Sequence, residues 1–240
     1  MNLAEFLDLI GFSRQKINVR EKLLSTLGGF LGIFAIFMTS QWLLDPAVSV
    51  MIVPSMGASA VLLFAAPHAP FSQPWNVLGG HAISAVIGVA CWQWIPDYAV
   101  AASASVGLAI GAMYFARCIH PPVGATALAA VIGSEKLHQL GYAYEYAPIL
   151  LNTITILLVA IAFNGLFKWR RYPVHLHLKR AAPGPVVKGY EPINHEDFVY
   201  ALSHIDTFVD VTEEDLLKIY KLATRRHVES GARPQGYDHG

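Results

Sequence analysis

Between Leu23 and Leu44 the chain carries no charged side chain, and its run of Leu, Phe, Ile and Gly is long enough to cross a bilayer. At about 1.5 Å of rise per residue, roughly 20 apolar residues match a hydrocarbon core about 30 Å thick. Backbone placed in lipid has no water to bond, so such a run closes its hydrogen bonds internally as a helix. The constraint extends downstream, because up to Lys168 the charged residues are Asp45, Asp97, Arg117, Glu135, Lys136, Glu145 and Lys168 itself. Only 14% of the chain is charged and 54% is apolar, where soluble domains carry about a quarter charged residues. The sequence therefore predicts an all-α membrane protein whose membrane domain occupies residues 23–168.

The remaining charges crowd into the two ends. Leu3, Phe6, Leu7 and Ile10 stand at helical spacing with Glu5 and Asp8 opposite, which predicts an interfacial amphipathic segment over residues 1–22. Its Arg14, Lys16, Arg20 and Lys22 precede the first span, and Lys168, Arg170, Arg171, Lys179, Arg180 and Lys188 follow the last one, in a basic linker at 169–192. Basic flanks on both sides place both termini in the cytoplasm, in a membrane of the bacterial inner (plasma) type. Residues 193–230 read as a cytosolic helical hairpin with N-caps at Asn194 and Thr212, and residues 231–240 as a disordered tail. No short apolar region with a cleavage site precedes Leu23, so the N-terminus is expected to be retained.

Several function classes drop out. Net charge is zero and no basic run is interleaved with aromatics, so a nucleic-acid partner is not expected. Cys91 and Cys118 sit in apolar surroundings without CxxC or Cys/His spacing and read as packing residues rather than a disulfide or a zinc site. His175 and His177 in the basic linker are not expected to hold a metal, and no cofactor is expected.

Asp45-Pro46 ends the first helix. A second apolar run, 47–66, is interrupted at Pro54, whose missing N–H leaves the Val50 carbonyl without its helical partner. Spans at about Trp75–Ile95 and Tyr98–Ala116 flank a turn at Pro96-Asp97, followed by a second interrupted run at 118–134, a loop at 135–147 and a last span at about Pro148–Phe167. The basic residues require an even number of crossings. Six membrane segments would form two inverted three-segment repeats with broken helices; the alternative is four spans plus two re-entrant segments. Six is preferred, since it puts Arg117 on the cytoplasmic side and the 135–145 loop outside.

The interrupted runs share a motif. Pro54-Ser55-Met56-Gly57-Ala58-Ser59-Ala60 and Pro121-Pro122-Val123-Gly124-Ala125-Thr126-Ala127 repeat Pro, Gly, Ala, Ser/Thr and Ala in one order. A helix that starts inside the bilayer presents unbonded N–H groups and the positive end of its dipole, which attract an anion. The expected substrate-binding groups are thus the backbones of Gly57, Ala58 and Ser59 with those of Gly124, Ala125 and Thr126, together with the Ser59 and Thr126 hydroxyls. The competing reading is that these glycines and alanines are ordinary small-residue helix-packing surfaces. Pro54, Pro121 and Pro122 are the helix-breaking residues, and the paired prolines push His120 toward an extended conformation. Arg117 either draws an anion in or anchors the interface. His120 and His81 are candidates for proton coupling, because an imidazole titrates near neutral pH and an ionisable group in a span is a functional candidate; each has a plainer reading, as a partner for kinked carbonyls or a cap. Asn152 and Asn164 in the last span could line a pathway or bond across helices, and the second reading is preferred.

The stretch Arg117-Cys118-Ile119-His120-Pro121-Pro122-Val123-Gly124-Ala125-Thr126-Ala127, downstream of Pro54 to Ala60 and of Gly79-Gly80-His81, resembles the HPP family of integral membrane proteins over roughly residues 20–168. The resemblance implies a transport-like membrane domain, usually described with four transmembrane segments, and some plastid and cyanobacterial members are linked to nitrite transport. It implies no catalytic residues. Bacterial relatives often carry paired CBS domains, for which this chain has no room, so adenine-nucleotide regulation is not expected.

The leading expectation is transmembrane transport of a small inorganic anion, nitrite foremost, with His120 or His81 available to couple a proton and with no enzymatic activity. The partners would be the anion, the lipid bilayer and a possible homo-oligomer. The alternatives are a membrane enzyme using His120 with Arg117, which lacks paired carboxylates or HExxH-like spacing in the spans, and a non-transporting scaffold whose tail recruits a partner.

Overall fold

The structure, a computed structural model, describes residues 18–43 and 46–175 together with Phe6. Most of the 1–22 segment, the linker beyond His175, the 193–230 hairpin and the 231–240 tail lie outside the described residues. Every regular element described is helical: α1 Val19–Leu43, α2 Pro46–Ala65, a 3-10 turn Pro70–Ser72, α3 Pro74–Trp94, α4 Tyr98–Ala116, a 3-10 turn Pro121–Val123, α5 Gly124–Ile132, α6 Glu135–Leu140, a π-helical turn Glu145–Leu150, α7 Leu151–Gly165 and a 3-10 turn Lys168–Arg170. Four stretches, Val19–Leu43, Pro74–Trp94, Tyr98–Ala116 and Pro148–Gly165, are helices long and apolar enough to cross a membrane.

The ends of these helices follow local chemistry. Pro74 opens α3 where a free N–H would have no partner. The Asp97 carboxylate caps α4 by accepting from the Val100 N–H at 2.8 Å. At the other end of α4, Arg117 takes a left-handed conformation, φ 53°, and its N–H bonds back to Tyr114 while that of Cys118 reaches Met113. This is the Schellman closure, usually made with glycine.

Three expectations need correction. The first helix begins at Val19 rather than Leu23, because Glu21 is buried against Arg170 and does not need water. The run around Pro54 is not broken: α2 continues through it from Pro46 to Ala65, so the loss of one backbone bond does not end the helix. The 135–147 segment is not a plain loop, since it holds α6 and the start of the π-helical turn.

Helix α1 packs on α2 and α7, while α3 packs on α4 and α5; α2 touches α5, and α3 touches α7, to join the two sets. Glycines set the closest approaches. A Cβ on Gly28 or Gly32 of α1 would lie 2.5 or 2.6 Å from the Phe64 ring of α2, and one on Gly88 of α3 would lie 2.5 Å from the Ala127 carbonyl of α5. Small residues let membrane helices meet closely enough for dispersion to hold them. The polarity is that of a lipid-facing bundle: Phe30, Phe34, Trp42, Trp94, Phe115 and Leu158 are exposed, while Ser40, Ser59, His81, Thr126 and Asn152 are buried.

One end of the bundle is tied by polar contacts. Arg170 is fully buried and donates to Glu21 at the start of α1, to the Phe64 carbonyl near the end of α2 and to Asn164 of α7. Burial pushes its guanidinium pKa down, and the Glu21 carboxylate opposes that shift. Tyr172 donates to the Ser72 carbonyl at 2.6 Å, adding the link before α3. As expected, the two asparagines bond across helices: Asn164 Nδ2 donates to the Leu63 carbonyl, and Ser40 donates to Asn152 Oδ1.

Candidate functional site

The two motif copies meet at one imidazole. Helix α2 carries Ser59, α3 carries His81 two turns from its start, and α5 carries Thr126 in its first turn. Ser59 Oγ lies 3.1 Å from His81 Nε2, and Thr126 Oγ1 lies 2.9 Å from His81 Nδ1. The hydroxyl that follows Gly-Ala in each copy thus occupies a different nitrogen of the same ring. His120 completes the group, with its Nε2 2.8 Å from Ser59 Oγ and its Nδ1 2.7 Å from the Phe71 carbonyl oxygen. The two imidazoles stand 5.5 Å apart between ring centroids. All four side chains are buried.

Buried polar atoms are expensive unless bonded, and in this cluster each ring nitrogen has a partner. No acid or guanidinium is bonded to the four side chains among the described residues, so the cluster is neutral or, on gaining a proton, positive. Ser84, one turn beyond His81 on the same face of α3, buries its hydroxyl with no partner among the described residues.

His120 is placed by the chain break that precedes it. After the left-handed Arg117, the backbone runs extended to His120 (φ −138°, ψ 100°), as a residue before proline prefers, then turns through Pro121–Val123 into α5. Helix α3 holds this passage. Trp75 Nε1 donates to the Ala116 carbonyl, Asn76 Nδ2 donates to the Ile119 carbonyl, and Gly80 leaves only 3.0 Å between an added Cβ and the Cβ of His120. Gly80 is the glycine the site requires.

The other expected site residues divide. Gly57 and Ala58 lie inside the continuous α2, so their backbone N–H groups are not the start of a half-helix. In the second copy Pro121 and Pro122 have no N–H, that of Val123 bonds the His120 carbonyl at 3.1 Å, and that of Gly124 turns back to the prolines' carbonyls. The expected amide donors are therefore not a helix start in α2, and at the head of α5 the Gly124 N–H is already bonded while the two prolines add no donor of their own. An added Cβ would meet nothing within 4 Å at Gly57, and only Val106 Cγ1 at 3.8 Å at Gly124. Arg117 is exposed, and its backbone caps α4. Pro54 is tolerated within its helix, whereas Pro121 and Pro122 stand where a helix does break.

Sequence reasoning did not find the Phe71 carbonyl, the third Ser59 partner at the Ser55 carbonyl, 3.2 Å away, or the buried Arg170–Glu21 pair. The first two are backbone atoms that carry no residue signature. The pair had a sequence signal in Glu21, an acid among the four basic residues before the first apolar run.

The model of the HPP transmembrane region matches residues 14–173. Two transmembrane proteins of Dictyostelium discoideum are each 36% identical to this chain over 154 residues. The match covers 62% of this chain in both cases, with 49% of one relative and 53% of the other. The chain spans about half the length of these curated relatives. No solved structure matches it. With the family model covering the helices and both histidines, the chain belongs to the HPP family of transmembrane proteins.

Proposed function

We propose that this chain transports a small inorganic anion, nitrite foremost, across the membrane together with a proton, using the buried cluster of Ser59, His81, His120 and Thr126. The observation that carries the reading is the convergence of both motif hydroxyls on His81, one on each ring nitrogen. A purely structural small-residue motif has no need of this. With no acid bonded to the cluster, a proton taken up there leaves a buried positive charge that a monovalent anion neutralises. The Thr126 hydroxyl, whose hydrogen is released when His81 carries Nδ1–H, and the Ser84 hydroxyl, which has no partner among the described residues, supply donors for the anion's oxygens. Gly57, Ala58, Gly124 and Ala125 keep the surrounding walls thin, and the exposed Arg117 draws the anion to the end of the bundle nearest His120.

On this reading α2 and α5 with its preceding 3-10 turn also cross, giving six membrane segments in two inverted halves. Both termini are then cytoplasmic in a plasma-type membrane, and the chain carries no catalytic residues. Packing as a homo-oligomer is compatible with the exposed apolar helix faces. The enzyme alternative is weaker because Arg117 is exposed while His120 is buried.

Flux into liposomes tests the proposal. Nitrite uptake is expected to saturate, to rise when the external pH is lowered, and to be lost in His81→Ala, with nitrate, formate and chloride measured alongside. Folded wild-type protein that moves none of these anions would sink it.

A further inference from the structure

The hydrogen-bond inventory of the cluster admits a single complete arrangement when both histidines are neutral. His120 Nδ1 faces a carbonyl oxygen, which only accepts, so Nδ1 bears the hydrogen and Nε2 is an acceptor. The Ser59 hydroxyl must then donate to His120 Nε2, which makes Ser59 Oγ the acceptor of a hydrogen on His81 Nε2. His81 Nδ1 is left as an acceptor for the Thr126 hydroxyl. Donors thus point one way along the whole series, from Thr126 through His81, Ser59 and His120 to the Phe71 carbonyl. The opposite tautomer of His81 would take the Ser59 hydrogen and leave His120 Nε2 buried without a donor.

One added proton reverses this logic. With His120 as the imidazolium, its Nε2 donates to Ser59, and the Ser59 hydrogen then has two acceptors: the Ser55 carbonyl at 3.2 Å, which would leave the His81 tautomer unchanged, and His81 Nε2 at 3.1 Å, which moves the His81 hydrogen to Nδ1 toward Thr126. The second route again gives each ring nitrogen a partner, by the other tautomer, and a basic imidazole nitrogen is a stronger acceptor than a carbonyl that already sits in a helical ladder.

We infer that Ser59 is the turning point of a one-proton relay between the two motif copies, in which loading His120 switches the tautomer of His81. Three hops make the conversion with no heavy atom displaced. The Thr126 O–H bond breaks as His81 Nδ1–H forms, His81 Nε2–H breaks as a new Ser59 O–H forms, and the original Ser59 O–H breaks as His120 Nε2–H forms. A hydronium ion or the protonated anion restores the Thr126 hydroxyl and leaves as water or the free anion. Uptake of one proton is thereby sensed at Thr126 on one copy and held beside Ser59 on the other, which suits one-for-one movement of a monovalent anion with H+. This use of the relay rests on the transport reading; the relay itself does not.

The titratable groups packed around the cluster from other elements are few. Cys118 lies against Gly79 and Gly80, in the extended passage that leads to His120, and the Tyr144 hydroxyl donates to the Thr126 carbonyl at 3.2 Å. Helix α2 contributes Ser55 and Ser59, which do not titrate.

The test is nitrogen NMR of the full chain in lipid bilayers with 15N-labelled histidine, followed through the titration of His120. At high pH His120 should read as the Nδ1–H tautomer and His81 as Nε2–H; once His120 is protonated, His81 should read as Nδ1–H. Ser59→Ala should abolish the His81 switch and Ser59→Thr should restore it. A His81 tautomer that is the same on both sides of the titration, in wild type, overturns the relay without reference to any variant. So does a switch that persists in Ser59→Ala. Nitrite flux measured on the same preparations separates the two ideas: flux without the switch overturns the relay alone, and the switch without flux supports the relay while removing the transport reading.

Discussion

The two motif copies have nearly the same small residues and opposite backbones. Around Pro54 the chain stays helical from Pro46 to Ala65. Around Pro121 it passes from the left-handed Arg117 through extended His120 and a 3-10 turn before α5 begins at Gly124. A single proline removes one donor, and the rest of α2 has its own ladder; two prolines after a Schellman closure leave no ladder to continue. The shared feature is not the break. It is the hydroxyl two positions after the glycine, which in both copies reaches His81. The motif therefore specifies where a side chain lands, and the two backbones deliver it by different routes.

The comparison can be broken most strongly at a glycine outside the motif. Gly88→Val should cost about 3 kcal/mol, the upper end for overpacking, because the atom met is the Ala127 carbonyl of α5 and cannot swing aside; denaturation in mild detergent would measure it. Pro54→Ala should act in the opposite sense, stabilising α2 by roughly 2 kcal/mol as the Val50 carbonyl regains its partner, while Pro121→Ala should give no comparable gain. If Pro54→Ala destabilises instead, the continuity of α2 is in error. Next come the hydroxyls. Thr126→Val should cost about 1–2 kcal/mol by leaving one buried ring nitrogen unpaired, and Ser59→Ala more, since it strips both His81 Nε2 and His120 Nε2; their double variant should cost less than the sum, since both act on His81. Additive losses would mean that the two copies are not joined at one ring. Arg117→Gly should stabilise by up to about 1 kcal/mol, since glycine takes the left-handed conformation without strain. Smallest is Gly57→Ala, expected within about 0.5 kcal/mol because an added Cβ there meets nothing within 4 Å. A large loss at Gly57 would restore the idea that the motif glycines, rather than its hydroxyls, build the site.

Much of this was legible in the residues. The spans at Pro74–Trp94 and Tyr98–Ala116 fall within a residue of their expected bounds, because proline at one end and Asp97 at the other are local signals of helix starts. His81, His120, Ser59 and Thr126 were all picked out in advance, the histidines as ionisable groups in apolar runs and the hydroxyls as part of a repeat. Their roles were not. The expected anion cradle was built from backbone N–H groups; in one copy those groups lie inside the continuous α2, and in the other the Gly124 N–H turns back to the proline carbonyls.

By itself, the sequence determined that the chain is helical and membrane-embedded and where its longest helices run, since lipid leaves a backbone no partner but its own neighbours a turn away. It also determined that helix α4 ends at Arg117-Cys118 and that His120 lies extended before two prolines, for these are properties of adjacent residues. Only the tertiary structure decided that Ser59, His81, Thr126 and His120 share one buried hydrogen-bond series, and that Glu21 is matched by Arg170. Those pairings join residues far apart in the chain and depend on how closely segments approach, which is set at Gly28 and Gly32 by the Phe64 ring, at Gly80 by His120 and at Gly88 by the Ala127 carbonyl. The same dependence explains Pro54: whether a helix survives its proline is settled by what packs around it, and that lies outside the local sequence.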